Sequence, residues 1–282
     1  MKVSVIIPVY NAETMVEKAV LSATIQPETA EVILIDDGSL DNSLRVCQDL
    51  ADKYNKVKLL RHPGGKNLGA AASRNLGLIN TKTEFISFLD ADDYYLPKRF
   101  YFAKNILSRK PDCDGVYEAV GIEFENDEAK AFWLSSPMGN VGITTMTRIL
   151  DPDELLRSLL QGKYGRFHIN GLIFRRSILK KSGLMNEKLG SMHEDTDFIF
   201  RLAIVGNLCP GNLEKPVANR FVHHHNRISA PISKKKSFLN TLKMHMETYR
   251  WCKRNGYEKE KALLINRMTI DCNQTSFSGN RR

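Results

Sequence analysis

Continuous apolar runs set the rhythm of the first hundred residues. "VSVIIPVY" (3–10), "EVILIDDGS" (31–39) and the run over 84–89 have the unbroken hydrophobicity of parallel strands covered on both faces. "KVKLLRH" (56–62) reads as a further strand, ended by Pro63-Gly64-Gly65. Between these runs the polar positions fall at helical spacing. One helix is expected from Ala12 to Gln26, stopped by Pro27, one from Asp41 to Tyr54, and an Ala-rich one over 69–79. Pro97 can sit in the first turn of another, running to Arg109. The order predicts an α/β fold, a mostly parallel sheet with helices on both faces.

The second half is less regular. "GVYEAVGIEFEN" offers one or two strands, and 126–148 reads as an irregular, partly exposed stretch. "DPDELLRSLLQG" starts a helix well, with Asp at the N-cap, Pro at N1 and Glu at N3. "NGLIFRRSIL" reads as a strand turning into a short helix, and "HEDTDFIFRLAIVG" as a helix with acids in its first turn.

In a parallel sheet, ligands bind beyond the carboxyl ends of the strands. Three such ends carry Tyr10-Asn11, Asp36-Asp37-Gly38-Ser39 and Asp90-Ala91-Asp92, and all three clusters are expected in one crevice. Like charges at 90–93 repel unless water or a cation offsets them. If the segment is extended, Asp90 and Asp92 face one side and can share a hard cation such as Mg2+ or Mn2+. Taken alone, the same acids also suit a solvated turn capping the next helix. An acid in "IDDGS" can accept from a base imide N–H or from ribose hydroxyls, with Gly38 allowing a tight turn; an ordinary strand-to-helix turn is the alternative.

Charge changes the picture mainly at the C-terminus. Of 41 Lys/Arg and 32 Asp/Glu, 12 and 4 lie from Lys234 onward, so this segment carries +8 and the remaining chain +1. A near-neutral body argues against a nucleic-acid enzyme, which concentrates basic charge around its working site. Phe238, Leu242, Met246 and Tyr249 fall near helical spacing among Lys243, Arg250, Lys253 and Arg254. Such a helix can lie on an anionic membrane surface, or pack on the main domain with its charges in water.

At 282 residues the chain can bury a large core. Its five scattered cysteines, with no C-x-x-C, argue for a reducing compartment and against a disulfide framework or cysteine zinc site. The N-terminal apolar run is too short for a secretory segment, and no stretch of about 18 apolar residues occurs. A cytoplasmic protein is expected, with peripheral contact at the inner face of the cell membrane open to it. No Ser–His–Asp arrangement, P-loop lysine or G-x-G-x-x-G is convincing.

Five motifs taken together, "VSVIIPVYN", "ILIDDGSLDNS", "NLGAAASRNLGL", "FISFLDADD" and "HEDTDFIFRL", resemble the family 2 glycosyltransferases of the inverting, bacterial surface-polysaccharide type. The likeness spans roughly residues 1–230, and the tail after about 235 lies outside it. It implies a GT-A fold with a helical C-terminal extension. The division expected is 1–110 for the nucleotide-sugar, 111–233 for acceptor and catalysis, and 234–282 for the basic extension. The resemblance places Pro8, Tyr10 and Asp37 against the nucleotide base, or Asp36 with a one-residue shift, and Arg74 beside the nucleotide. It implies that Asp92 binds the metal while Asp90 holds ribose or a metal-bound water, with Asp93 less defined. It makes Asp195 the catalytic base and Glu194 an acceptor-binding residue. It also implies that a histidine of "FVHHHNRIS" closes over the diphosphate or completes the metal shell; spacing favours His224, with His225 close behind, and adjacent histidines on a surface are the alternative.

The activity implied is transfer of a hexose or N-acetylhexosamine from a nucleotide-diphosphate sugar, a UDP-sugar in the first instance. The acceptor is a hydroxyl on a glycan or lipid-linked molecule, and the cofactor Mn2+ or Mg2+. One alternative is a nucleotidyltransferase that makes nucleotide sugars, although "PVYNAETM" lacks the glycine and arginine its triphosphate loop needs. Another is a non-catalytic binding protein acting through the basic tail.

Overall fold

The computed structural model describes residues 1–135, 142–190, 192–223 and 233–278. In chain order its elements are β1 (Val3–Val9), α1 (Val16–Thr24), β2 (Thr29–Asp36), α2 (Ser43–Lys53), β3 (Val57–Arg61), α3 (Ala70–Asn80) and β4 (Phe85–Phe88). Next come β5 (Tyr94–Tyr95), α4 (Tyr101–Arg109), β6 (Gly115–Tyr117), β7 (Val120–Phe124), α5 (Asp127–Ser135) and β8 (Ile143–Thr144). The remainder are α6 (Pro152–Gln161), β9 (Leu172–Arg175), α7 (Leu179–Ser182), α8 (Glu194–Val205), β10 (Leu208–Pro210), β11 (Ala218–Val222), α9 (Lys234–Asn255) and α10 (Glu258–Ser278).

Seven strands form the main sheet in the order β10-β6-β9-β4-β1-β2-β3. It is parallel apart from β9, which runs antiparallel to both β4 and β6. The apolar runs are explained by burial on both faces. Val5, Ile7 and Leu34 pack with α1 and α2 on one side, while Ile6, Ile33 and Ile35 pack with α3 on the other. Gly77 lets α3 sit close, since a Cβ there would lie 2.4 Å from Ile6 Cγ2. The register aligns Val9, Asp36 and Arg61 in a row, so β1, β2 and β3 end together. A second sheet, β5-β11-β7-β8, stands beside these strand ends.

The two sheets are joined by a buried ion pair. Arg99 and Glu118 are both fully buried and 2.8 Å apart, and Arg99 also donates to the Asn170 carbonyl at 3.0 Å. Burial raises the Glu118 carboxyl pKa against the pull of Arg99.

Some sequence expectations need correction. Pro97 lies in a turn ahead of α4, where Lys98 has φ 64°. The 126–148 stretch is not irregular throughout: α5 buries Ala129 and Trp133 against Val222. In the tail the inward stripe is Met244, Thr248 and Cys252, and Met246 is exposed. Met244, Cys252 and Leu264 share one core with Phe198 and Leu202 of α8, so α9 and α10 form a helical hairpin packed on the main domain. The apolar spacing misled because Thr248 and His245 occupy inward positions through hydrogen bonding and ring stacking instead of hydrophobicity. No helix among the described residues is long and apolar enough to cross a membrane.

Removing one partner of a buried pair strands the other charge, which costs about 3–5 kcal/mol. Arg99→Met is therefore expected to lower unfolding stability by about that amount in urea titration. The double variant Arg99→Met/Glu118→Met should be more stable than Arg99→Met alone.

Candidate active site

The aligned strand ends open into a cavity of about 570 Å³. Its floor is built locally. Asn11, at φ 50°, accepts from Leu40 N through Oδ1 at 2.8 Å and donates its own N–H to Ser39 Oγ at 3.2 Å. Ala12 N donates to Ser43 Oγ at 2.7 Å. These bonds lock the β1–α1 loop to the β2–α2 loop. Gly38, at φ +71°, fits the turn because a Cβ would lie 2.7 Å from Gly65 O and Asn67 N.

Pro8, Tyr10 and Asp37 all line the cavity, and Tyr10 is nearly half exposed. Asp37 accepts from Leu68 N at 2.8 Å through Oδ1 and from Gly69 N at 2.9 Å through Oδ2, which fixes its carboxylate at the start of α3. Asp36 does not line the cavity. It is fully buried, pairs with Arg61 at 3.0 Å and accepts from Ser39 N, so it holds the turn.

Arg74 of α3 is buried between two carboxylates, with Nη2 2.6 Å from Asp90 Oδ1 and Nη1 3.4 Å from Glu194 Oε1. Burial pulls its pKa down, but Asp90, Glu194 and Asp195 outweigh that and raise it. Residues 90–93 are not extended. Asp93 N donates to the Asp90 carbonyl at 3.0 Å, making a turn. The turn brings residues three apart together, so ligand atoms of Asp90, Asp93 and His168 all lie within 4.8 Å of one another. Asp92 points elsewhere, with Oδ2 3.4 Å from His223 Nε2. His224 and His225 lie outside the described residues.

Asp93 is nearly buried, accepting from Asn170 Nδ2 at 2.6 Å and from Phe221 N at 2.8 Å. Burial, then the nearby Asp92 and Asp90 charges, push its carboxyl pKa well up, against Arg220. Glu194 and Asp195 reach the cavity from the N-terminus of α8, where His193 has φ 65°. Glu194 is almost wholly buried, whereas Asp195 is partly exposed and its Oδ1 accepts from Thr196 N at 2.7 Å and Oγ1 at 3.3 Å.

The structure thus gathers Pro8, Tyr10, Asp37, Arg74, Asp90, Asp92, Glu194 and Asp195 around one cavity and leaves Asp36 beneath it. Sequence reasoning missed His168, Arg220, Phe132 and Trp133 among the lining residues, and Asn170 behind them. Only the polar pair His168 and Asn170 interrupting the apolar "RFHINGLIF" could have drawn notice. Arg220 lies over the Trp133 ring, 5.2 Å from its centroid, a contact between β11 and α5 that no local pattern announces.

Residues 4–183 match the family described as glycosyl transferase family 2. Among curated relatives, the minor teichoic acid biosynthesis protein GgaA of Bacillus subtilis (strain 168) is 30% identical over 210 residues, 71% of this chain and 43% of the relative. An uncharacterized glycosyltransferase of Haemophilus influenzae is 44% identical over 93 residues, 33% of this chain and 36% of the relative. The chain therefore spans less than half the length of these two relatives. S. aureus TarS 1-349 superposes with a TM-score of 0.68 at 20% identity, over 100% of this chain and 76% of that one, and so shares the fold. A family match over more than half of the residues, together with this GT-A architecture, shows that the chain belongs to the family 2 glycosyltransferases.

Proposed function

We propose that the protein is an inverting glycosyltransferase that moves a sugar from a UDP-sugar to an acceptor hydroxyl in surface-polysaccharide synthesis. One observation carries the reading: acids at the β4 end and at the start of α8, far apart in sequence, line the same cavity. Two relatives support the donor and the pathway class. TarS 1-349 has been solved in complex with UDP-GlcNAc, and GgaA is a teichoic acid biosynthesis protein.

In this reading the 1–110 half holds the nucleotide. Tyr10 offers a stacking face beside Pro8, and the fixed Asp37 carboxylate accepts the uracil N3–H. Arg74 holds Asp90 at the nucleotide's flank by their 2.6 Å pair. Residues 111–233 supply the acceptor side, where Phe132, Trp133 and Arg220 line the cavity.

A divalent cation fits the donor set. Asp92 offers hard oxygens and His223 stands 3.4 Å from it, a combination that suits Mn2+ or Mg2+ with positions left for phosphate, while Asp90, paired with Arg74, suits ribose or a metal-bound water. Such a cation, when bound, supplies positive charge against the departing diphosphate. Asp93 stays out of this set because it is buried and the Asp92 and Asp90 charges add to burial in disfavouring its ionised form.

Asp195 is the general base. Its Oδ1 accepts from Thr196 N and Oγ1, which holds the carboxylate at the cavity wall. As the acceptor oxygen attacks the anomeric carbon, its proton passes to Asp195 and the sugar–diphosphate bond breaks on the opposite face. One displacement inverts the configuration without a covalent enzyme intermediate. Glu194, buried against Arg74, anchors this end of α8. The outer face of α9 presents Lys235, Lys236, Lys243, Arg250 and Lys253 with exposed Leu239, a face suited to peripheral contact with an anionic membrane bearing a lipid-linked acceptor.

Two measurements test the reading. Calorimetric titration of UDP, GDP and TDP with and without Mn2+ should show Mn2+-dependent binding of UDP, weakened about tenfold or more in Asp92→Ala through loss of a charge-assisted contact. No binding of any of the three by the unaltered protein would sink it. Asp195→Asn should keep UDP affinity within about twofold while transfer or hydrolysis of the UDP-sugar falls roughly 10²–10⁴-fold. Unchanged turnover would remove Asp195 from the mechanism.

A further inference from the structure

His168 is the cavity group whose chemistry is most tightly set by its own backbone. It caps a short 3-10 turn, Ile169–Gly171, by accepting from Asn170 N through Nδ1 at 3.3 Å. A ring nitrogen that accepts cannot carry the proton, so the neutral imidazole holds its hydrogen on Nε2.

Nε2–H therefore faces the cavity as a donor. It lies 4.0 Å from Asp90 Oδ2, too far for a direct hydrogen bond and with space for one bridging oxygen. The spacing of Asp90, Asp93 and His168 resembles a metal site. Yet a protonated Nε2 has no lone pair to give a cation, and freeing one would cost the bond to Asn170. His168 lines the same cavity as Asp90 and Asp195. In the reading above, these residues mark the diphosphate end and the attacking end of the reaction, so the transferred sugar occupies the space between them.

We propose that His168 is a specificity-determining residue whose Nε2–H donates to an oxygen of the transferred sugar, a hydroxyl or the carbonyl of an N-acyl group. This inference rests on the UDP-sugar reading of the cavity. As an obligate donor, His168 favours an acceptor oxygen and disfavours an ammonium group at that point on the sugar.

The test compares UDP, UDP-glucose and UDP-N-acetylglucosamine by calorimetry in the presence of Mn2+, for the unaltered protein, His168→Phe and His168→Gln. UDP affinity should stay within about twofold in both variants, which also reports that they fold. In His168→Phe the better-binding UDP-sugar should weaken about tenfold, the loss expected for one net hydrogen bond. His168→Gln, which can restore an N–H near the same place, should recover most of that loss. Equal weakening of UDP and UDP-sugar, or no weakening of either sugar, overturns the assignment. Loss of Mn2+ binding in His168→Phe, followed by electron paramagnetic resonance without nucleotide, overturns it in favour of a metal ligand. Failure of the unaltered protein to bind UDP would instead overturn the donor reading, and this inference with it.

Discussion

Like charge at close quarters has to be offset, and in this protein the buried guanidinium of Arg74 bears much of that task. It stands between Asp90, at the end of β4, and Glu194, at the start of α8, with Asp195 near enough to raise its pKa further. The seat of Arg74 is α3, whose close approach to β1 through Gly77 leaves it little freedom to shift. One side chain thus joins three segments that are remote in sequence. It also sets the separation between the acids on the two sides of the cavity.

A second set of bonds ties the small sheet to the large one. Asp93 accepts from Asn170 and from Phe221 N, bringing the turn before β9 and strand β11 to the same carboxylate. Asn170 is used three times more. Its Oδ1 receives Asp90 N, its carbonyl receives Arg99, and its own N–H goes to His168. Buried polar groups of this kind are costly unless satisfied, and here the bonds to Asp90, Asp93 and His168 also orient cavity residues. The left-handed backbone of His193 belongs to the same pattern, local strain placed where Glu194 and Asp195 enter the cavity.

The C-terminal hairpin extends this framework. Thr248 of α9 donates to Asp197 at 2.8 Å, and Asp197 also receives Arg201, which in turn holds the carbonyls of Ser182 and Leu184. Asp197 lies on the same helix as Asp195. The tail therefore braces the element that carries the proposed base, while its outward face keeps the positive charge noted in the sequence.

The sequence by itself determined the parallel strands, the order of strands and helices, and the acids at strand ends. Burial on both faces of a sheet leaves unbroken apolar runs, and the switch to helical spacing is equally local. Positions Asp37, Asp90 and Asp92 were legible because they follow apolar runs at strand ends, and Asp195 through the family resemblance of the acids that open a helix. The tertiary structure decided the rest. Asp36 and Asp37 are adjacent in sequence, yet strand alternation buries one against Arg61 and turns the other toward the cavity. Residues 90–93 form a turn, not an extended segment, because Asp93 is drawn to Asn170 and Phe221. α5 and the inward face of α9 are shaped by partners from distant segments, Val222 and Arg220 for one and Asp197 for the other. His168 gains its setting through a bond two residues away and an acid nearly eighty residues earlier. Such placements depend on energies shared across the fold, and hydrophobic periodicity records only whether a position is covered, not which group covers it.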